Sequence, residues 1–258
     1  MLNSKLDVLL FSQLYHFTMS HLYKANKSFL FFLCRLNVPT NMFQSIDEKY
    51  LKFRHPFTML CVGSTMTGKT TYLTKLIQQR HDMIKPNVER VIYSYNKYQT
   101  VFDSMTDVQF VRGMNFNLDP SIPTLLIIDD NMNHTDETLA ELFTVDAHHQ
   151  NTSIIFVTQN LFLQNKFYRT ACLNTQYMIF FRSPRSCNQM THLAKQIYTG
   201  NKVKAMVEAF QDSTKDPFSH FIIDLKPDTP QCMRLRTNAM KDEGLSFQSE
   251  HFAHVYNI

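Results

Sequence analysis

The sequence predicts an α/β fold in which a mainly parallel sheet is flanked by helices. Three observations carry this. Phe57-Thr58-Met59-Leu60-Cys61-Val62 is a short apolar run that leads into a glycine-bounded loop and then a helical pattern. Thr124-Leu125-Leu126-Ile127-Ile128 is a continuous aliphatic run that ends in two acids, Asp129 and Asp130. Further short apolar runs, bounded by turn residues, are interspersed with segments of helical period.

The chain has 258 residues, enough for one large α/β domain with small extensions. A hydrophobic content of 44% with 22 phenylalanines supplies an ample core. The formal net charge of +4 permits a polyanionic partner without demonstrating one. The five cysteines are scattered and form no CxxC pair. Such a set reads as reduced thiols of an intracellular protein, not as a disulfide framework or zinc site.

Residues 1–40 read as a helical or poorly ordered extension. Leu6 to Leu14 is apolar but broken by Ser12 and Gln13, and Lys27 and Arg35 bracket the run Phe29 to Cys34. Neither run approaches the ~18 apolar residues of a membrane span, so no integral membrane association is expected. Amphipathic helices packed on the domain or a partner compete here with a membrane-surface anchor. Val38-Pro39-Thr40-Asn41 marks a boundary turn. A domain over 41–240 follows, then a polar tail over 241–258.

The first element of that domain is the strand ending at Val62. The loop behind it, Gly63-Ser64-Thr65-Met66-Thr67-Gly68-Lys69-Thr70, fits the phosphate-loop pattern G-x-x-x-x-G-K-[ST] at every fixed position. The chain has only five glycines, and two occupy those fixed positions. The helix from Thr71 puts Tyr72, Leu73, Leu76 and Ile77 on one face. Strand, glycine loop and helix start are what triphosphate binding needs. Glycines let backbone N–H groups approach the phosphates, and the helix start adds partial positive charge. Lys69 would reach the β- and γ-phosphates, and the Thr70 hydroxyl would ligate Mg²⁺.

Arg90 to Ser94 reads as the second strand and Gln109 to Arg112 as a short third. Thr124 to Asp130 is a buried parallel strand that delivers carboxylates to its C-terminal end, where open α/β sheets bind ligands. Asp129 is placed to hold Mg²⁺ through its water shell. Asp130, one residue on, can orient and polarise an attacking water. Leu139 to His149 reads as a helix, with His148 and His149 as helix-end residues. Ser153 to Thr158 is another buried strand, and Gln159 at its tip could hydrogen-bond the γ-phosphate or the water. A plain polar turn is the competing reading. Gln176 to Phe181 is a further strand, followed at once by Arg182-Ser183-Pro184-Arg185. Two arginines at a strand tip suit phosphate contact across a subunit boundary, against the alternative of a solvated basic turn. Gln189 to Tyr198 and Val203 to Phe210 read as helices. Phe218 to Leu225 and Met233 to Leu235 read as a closing antiparallel pair.

Taken in order, GSTMTGKTT, LLIIDD, SIIFVTQN, YMIFFRSPR and FSHFIIDLKPDTPQCMRLRTN resemble the DNA-packaging ATPases of the FtsK–HerA type. The pattern is most similar to the poxvirus-like packaging ATPase of Maverick/Polinton elements and large DNA viruses of eukaryotes. The resemblance covers about residues 42 to 240. Its first two motifs are shared by many ATPases; the last two segments are the most family-like. It implies a RecA-like sheet, with the Gln159 strand inserted between the phosphate-loop strand and the Asp129 strand. It implies ATP and Mg²⁺ as ligands, with residues 63–71, Thr71 included, around the nucleotide and Thr70 and Asp129 at the metal. It implies Asp130 and Gln159 as catalytic, with Arg185 or Arg182 acting on a neighbour's nucleotide. It further implies a ring-shaped homo-oligomer that moves double-stranded DNA into a capsid, with a capsid or portal-like protein as partner. One departure is that the second acid is aspartate, where many relatives carry glutamate.

Other readings of the phosphate loop fare less well. A GTPase would need N-K-x-D, and Asn96-Lys97-Tyr98-Gln99 lacks the aspartate. A small-molecule kinase would not need the acid pair plus Gln159. A helicase of the same core class, or a scaffold that binds ATP without turnover, is separated by hydrolysis assays with and without DNA.

Overall fold

The computed structural model describes residues 48–129, 137–183, 186–237 and 254–256, all within one compact unit, Asp47–Ile258. Asp130, Pro184 and Arg185, the extension over 1–40 and most of the tail lie outside the described residues.

Eleven strands are described: β1 Phe53–Arg54, β2 Thr58–Val62, β3 Ile84–Lys85, β4 Arg90–Tyr95, β5 Gln109–Arg112, β6 Thr124–Asp129, β7 Thr152–Thr158, β8 Tyr177–Phe181, β9 His220–Asp224, β10 Leu235–Thr237 and β11 His254–Tyr256. Nine of them form one sheet in the order β11-β10-β9-β8-β2-β7-β6-β4-β5. From β8 through β5 every neighbouring pair is parallel. β9, β10 and β11 add antiparallel strands at the other side. The expected mainly parallel α/β sheet with a closing antiparallel pair is therefore present. β7 lies between β2 and β6, the insertion that the family resemblance implies.

The pleat sorts the core. Successive strand residues point to opposite faces, so Leu60, Ile92, Leu126, Ile128, Ile154, Phe156, Met178 and Phe180 fall on one side. Met59, Cys61, Val91, Tyr93, Leu125, Ile127, Ile155, Val157, Ile179 and Phe181 fall on the other. Both faces are apolar, which is why the strands read as unbroken hydrophobic runs rather than alternating ones.

Helices cover both faces. α1 (Lys69–Gln78) buries Tyr72, Leu73, Leu76 and Ile77, the face its spacing predicts. The short α2 (Arg80–Met83) follows it. The segment read as a helix over Leu139 to His149 is α3 (Glu137–Glu141), a π-helical stretch (Leu142–Asp146) and α4 (Ala147–His149). With α5 (Lys166–Leu173), α6 (Ser186–Ile197) and α7 (Asn201–Ser213), it covers the face opposite α1. α5 has no counterpart in the sequence reading. Its start is capped by Asn165, whose side chain accepts from the Phe167 and Tyr168 N–H groups.

The closing strands are tied into the sheet by charge. Asp224 and Arg236 are fully buried, with Arg236 Nη1 3.3 Å from Asp224 Oδ2. Arg54 pairs with Asp228 and donates to Thr229 Oγ1 at 2.7 Å. Lys226 Nζ donates to the Arg54 carbonyl at 2.8 Å. The family-like I-D-L-K-P-D-T segment thus fastens the entry to β2. The tail, which carries no readable pattern, contributes β11, paired with β10.

Candidate nucleotide site

All strands from β8 to β5 end on the same side of the sheet, and the loop after β2 opens there. A hydrogen bond from the Gly63 N–H to the Thr158 carbonyl, 3.1 Å, fixes the start of the loop against β7. A Cβ at Gly63 would stand 2.7 Å from Thr67 Oγ1 and 2.9 Å from Phe181 Cβ, so no larger residue fits. Gly68 has φ of 101°, a left-handed conformation that glycine adopts without strain. These contacts supply the physical reason for both fixed glycines of the pattern. Thr67 Oγ1 donates to the Ser64 carbonyl at 2.8 Å and closes the turn.

α1 begins at Lys69 with Gly68 as its cap residue, with no side-chain cap and no acid in its first turn. A helix start of this kind presents N–H groups and the positive end of its dipole to an anion. The Lys69 ammonium lies back on the loop, donating to the Gly63 and Ser64 carbonyls at 2.6 and 2.7 Å.

A cavity of about 630 Å³ sits over this loop, within the size range of small-ligand sites. Thr65, Met66, Gly68, Lys69, Thr70 and Thr71 line one part of it, and Asp129 and Gln159 another. Gly63, Ser64 and Thr67 shape the loop and do not line the cavity. Four predicted residues therefore line one space: Lys69, Thr70, Asp129 and Gln159.

Asp129 is only 6% exposed. The Tyr93 hydroxyl donates to its Oδ2 at 2.7 Å. Burial and the neighbouring carboxylate both push the Tyr93 hydroxyl far above its ordinary pKa, so it stays a protonated donor. Cys61, beneath the loop, is pushed up to about 12 by burial and remains a thiol. Gln159 follows β7 directly, and the chain behind it is pinned. The Asn160 carbonyl accepts from Thr158 Oγ1 and the Tyr168 hydroxyl, each at 3.0 Å, and Asn160 Oδ1 accepts from Gln189 Nε2 at 3.0 Å.

The residues present suit a magnesium ion bound together with phosphates. A threonine hydroxyl and a buried carboxylate from residues lining one cavity are a donor set such an ion takes when it keeps its waters. Among the described residues, no cluster of three or more histidine, cysteine or acidic side chains forms a self-contained metal site.

Arg182 is exposed at the tip of β8, does not line the cavity, and sends Nη1 to the Thr214 carbonyl at 3.3 Å. Tyr93, Lys97, Tyr98, Gln99 and Phe218 were not assigned to the site from sequence. The last four line the cavity, and Tyr93 holds its acid. The signal for Tyr93 and the 97–99 segment is that β4 pairs with β6 in parallel, opposing Tyr95 to Asp129 and bringing the loop after β4 to the cavity.

No protein-family model matches the sequence, and no curated protein matches it. Among solved structures, the chain is similar to B204, the DNA-packaging ATPase from Sulfolobus Turreted Icosahedral Virus. The two share 14% identity with a TM-score of 0.45, over 66% of this chain and 93% of that one. Among the described residues no helix is long and apolar enough to cross a membrane.

Proposed function

We propose that the protein is a Mg²⁺-dependent ATPase whose turnover drives double-stranded DNA into a viral capsid. The observation that supports this best is the order β2-β7-β6, which aligns the phosphate loop, Gln159 and Asp129 along one cavity. Lys69 would hold the β- and γ-phosphates, and the α1 N–H groups would share that charge. Thr70 and Asp129 would hold a magnesium ion, which when bound would supply positive charge to the phosphates. Tyr93 positions Asp129. Asp130 would take up the water's proton, and Gln159 would orient the water. Arg185, with Arg182 as the alternative, would complete the site of the next subunit in a homo-oligomeric ring. The motor assignment is carried by the resemblance of the ordered motifs to packaging ATPases.

The test is phosphate release by the full chain with Mg²⁺ and ATP, with duplex DNA, single-stranded DNA or none. The expected outcome is hydrolysis that duplex DNA stimulates and that Lys69→Ala abolishes. Wild-type turnover in Lys69→Ala would remove the site assignment. Hydrolysis unaffected by duplex DNA would remove the motor assignment and leave an ATPase.

A further inference from the structure

One aromatic residue at the cavity carries two costs at once. Phe218 is 69% exposed, and its φ is 65°. A bulky side chain in the left-handed region is a genuine outlier, and such strain persists where the surroundings hold it for a purpose. An exposed aromatic ring forgoes the gain of burial as well.

Its position explains what could repay both. β9 runs antiparallel to β8, with His220 opposite Phe181, so the residues before β9 lie at the end of the sheet where β2 delivers the phosphate loop. There Phe218 meets the loop itself: a Cβ on Gly68 would come within 3.2 Å of Phe218 Cβ and 3.3 Å of its Cδ1. Phe218 lines the same cavity as Lys69, Thr70 and Thr71. Met66, 90% exposed and also at φ 65°, is a second large apolar side chain on that cavity. Apolar surface beside a phosphate loop suits the one part of a nucleotide that is flat and apolar.

We propose that Phe218 is the stacking platform for the base of the bound nucleotide, with Met66 as an accessory apolar contact. The inference rests on the nucleotide reading of the cavity. The ring contributes affinity for the base and takes no part in phosphate chemistry. Stacking uses the π-face that every base has, so purines gain most and the platform by itself does not separate adenine from guanine.

The test compares ADP with inorganic pyrophosphate, both with Mg²⁺, by calorimetric titration of the full chain. Wild type should bind both. Phe218→Ala should lose about five- to 150-fold in ADP affinity, the scale of base–aromatic stacking, with pyrophosphate affinity unchanged. Phe218→Trp should bind ADP at least as well as wild type. Phe218→Gly relieves the backbone, so it should melt no lower than wild type yet lose ADP affinity as Phe218→Ala does. If wild type binds neither ligand, the nucleotide reading fails and this inference falls with it. If wild type binds both, but Phe218→Ala keeps its ADP affinity or loses both ligands equally, the platform is wrong and the nucleotide reading stands.

Discussion

At the scale of single residues, the site depends on how one buried carboxylate is held. Asp129 sits at a strand end with little access to water, and Tyr93 from the adjacent strand donates to it. Tyr93→Phe removes that donor and keeps the ring in its aromatic cluster with Phe102 and Phe110. A hydrogen bond to a charged group contributes about 1.5–3 kcal/mol. The expected outcome is a several-fold rise in the Mg²⁺ concentration for half-maximal ATPase, with the KM for ATP at saturating Mg²⁺ little changed. An unchanged Mg²⁺ titration would show that Tyr93 is only a packing residue. Histidines set a second residue-scale behaviour. Burial lowers the pKa of His55, which lies 2.6 Å from Ser153 Oγ, and pushes His220, packed between Tyr72 and Phe181, down to about 4. A group with a lowered folded pKa binds its proton more readily in the unfolded chain. Their stabilisation is therefore complete above the unfolded value of about 6.5 and is lost as pH falls below it. Melting temperature should drop between pH 7 and pH 5, and His55→Gln should flatten that slope. A slope identical to wild type would assign the acid sensitivity elsewhere.

Among elements, the β9–β10 pair is fastened by an ion pair inside the protein. Arg236 and Asp224 are both fully buried, and Arg236 Nη1 also donates to the Met233 carbonyl at 2.9 Å. Removing one partner strands a charge where water cannot reach it, at a cost of about 3–5 kcal/mol. Asp224→Ala should lose about that much in urea unfolding. Asp224→Leu combined with Arg236→Met should recover most of the loss, because it leaves no lone charge behind. A double variant as unstable as the single one would mean that the pair also fixes the register of the closing strands.

For the whole molecule, the proposed ATPase draws on more than one chain to complete each site. Arg182 stands exposed at the sheet end and turns to a carbonyl of its own chain rather than into the cavity. The proposed ring gives such a tip arginine, or Arg185 beyond it, a neighbour's nucleotide to act on. An arginine supplied in trans is worth about 10³–10⁵ in rate where it is known. Head-to-tail docking that supplies it closes into a ring. Arg185→Ala and Asp130→Asn should each bind ATP and hydrolyse it poorly. Their mixture should exceed either alone, because some interfaces then join an intact Asp130 to an intact Arg185. A mixture no more active than the separate variants, with assembly intact, would place the arginine in its own subunit or outside the reaction.

What the sequence determined by itself is whatever depends on residues close together in the chain. The phosphate loop is eight consecutive residues; Gly68 answers a local demand of backbone angle, and Gly63 is crowded both by Thr67 within the loop and by Phe181 on β8. The Asp129 strand announces itself because a strand buried on both faces must be apolar throughout. Gln159 and Arg182 were legible as strand-tip residues for the same reason. Only the tertiary structure decided which tips meet. Sheet order puts β4 beside β6, so Tyr93 reaches Asp129 across 36 positions. The antiparallel return of β9 lays Phe218 on Gly68, 150 positions earlier in the chain. Neither pairing has a local signature, because a tyrosine in a strand and a phenylalanine before one look like core residues until the strands have neighbours. Hydrophobic periodicity tells which face a residue takes; strand order, set by packing both faces under helices, tells what it touches.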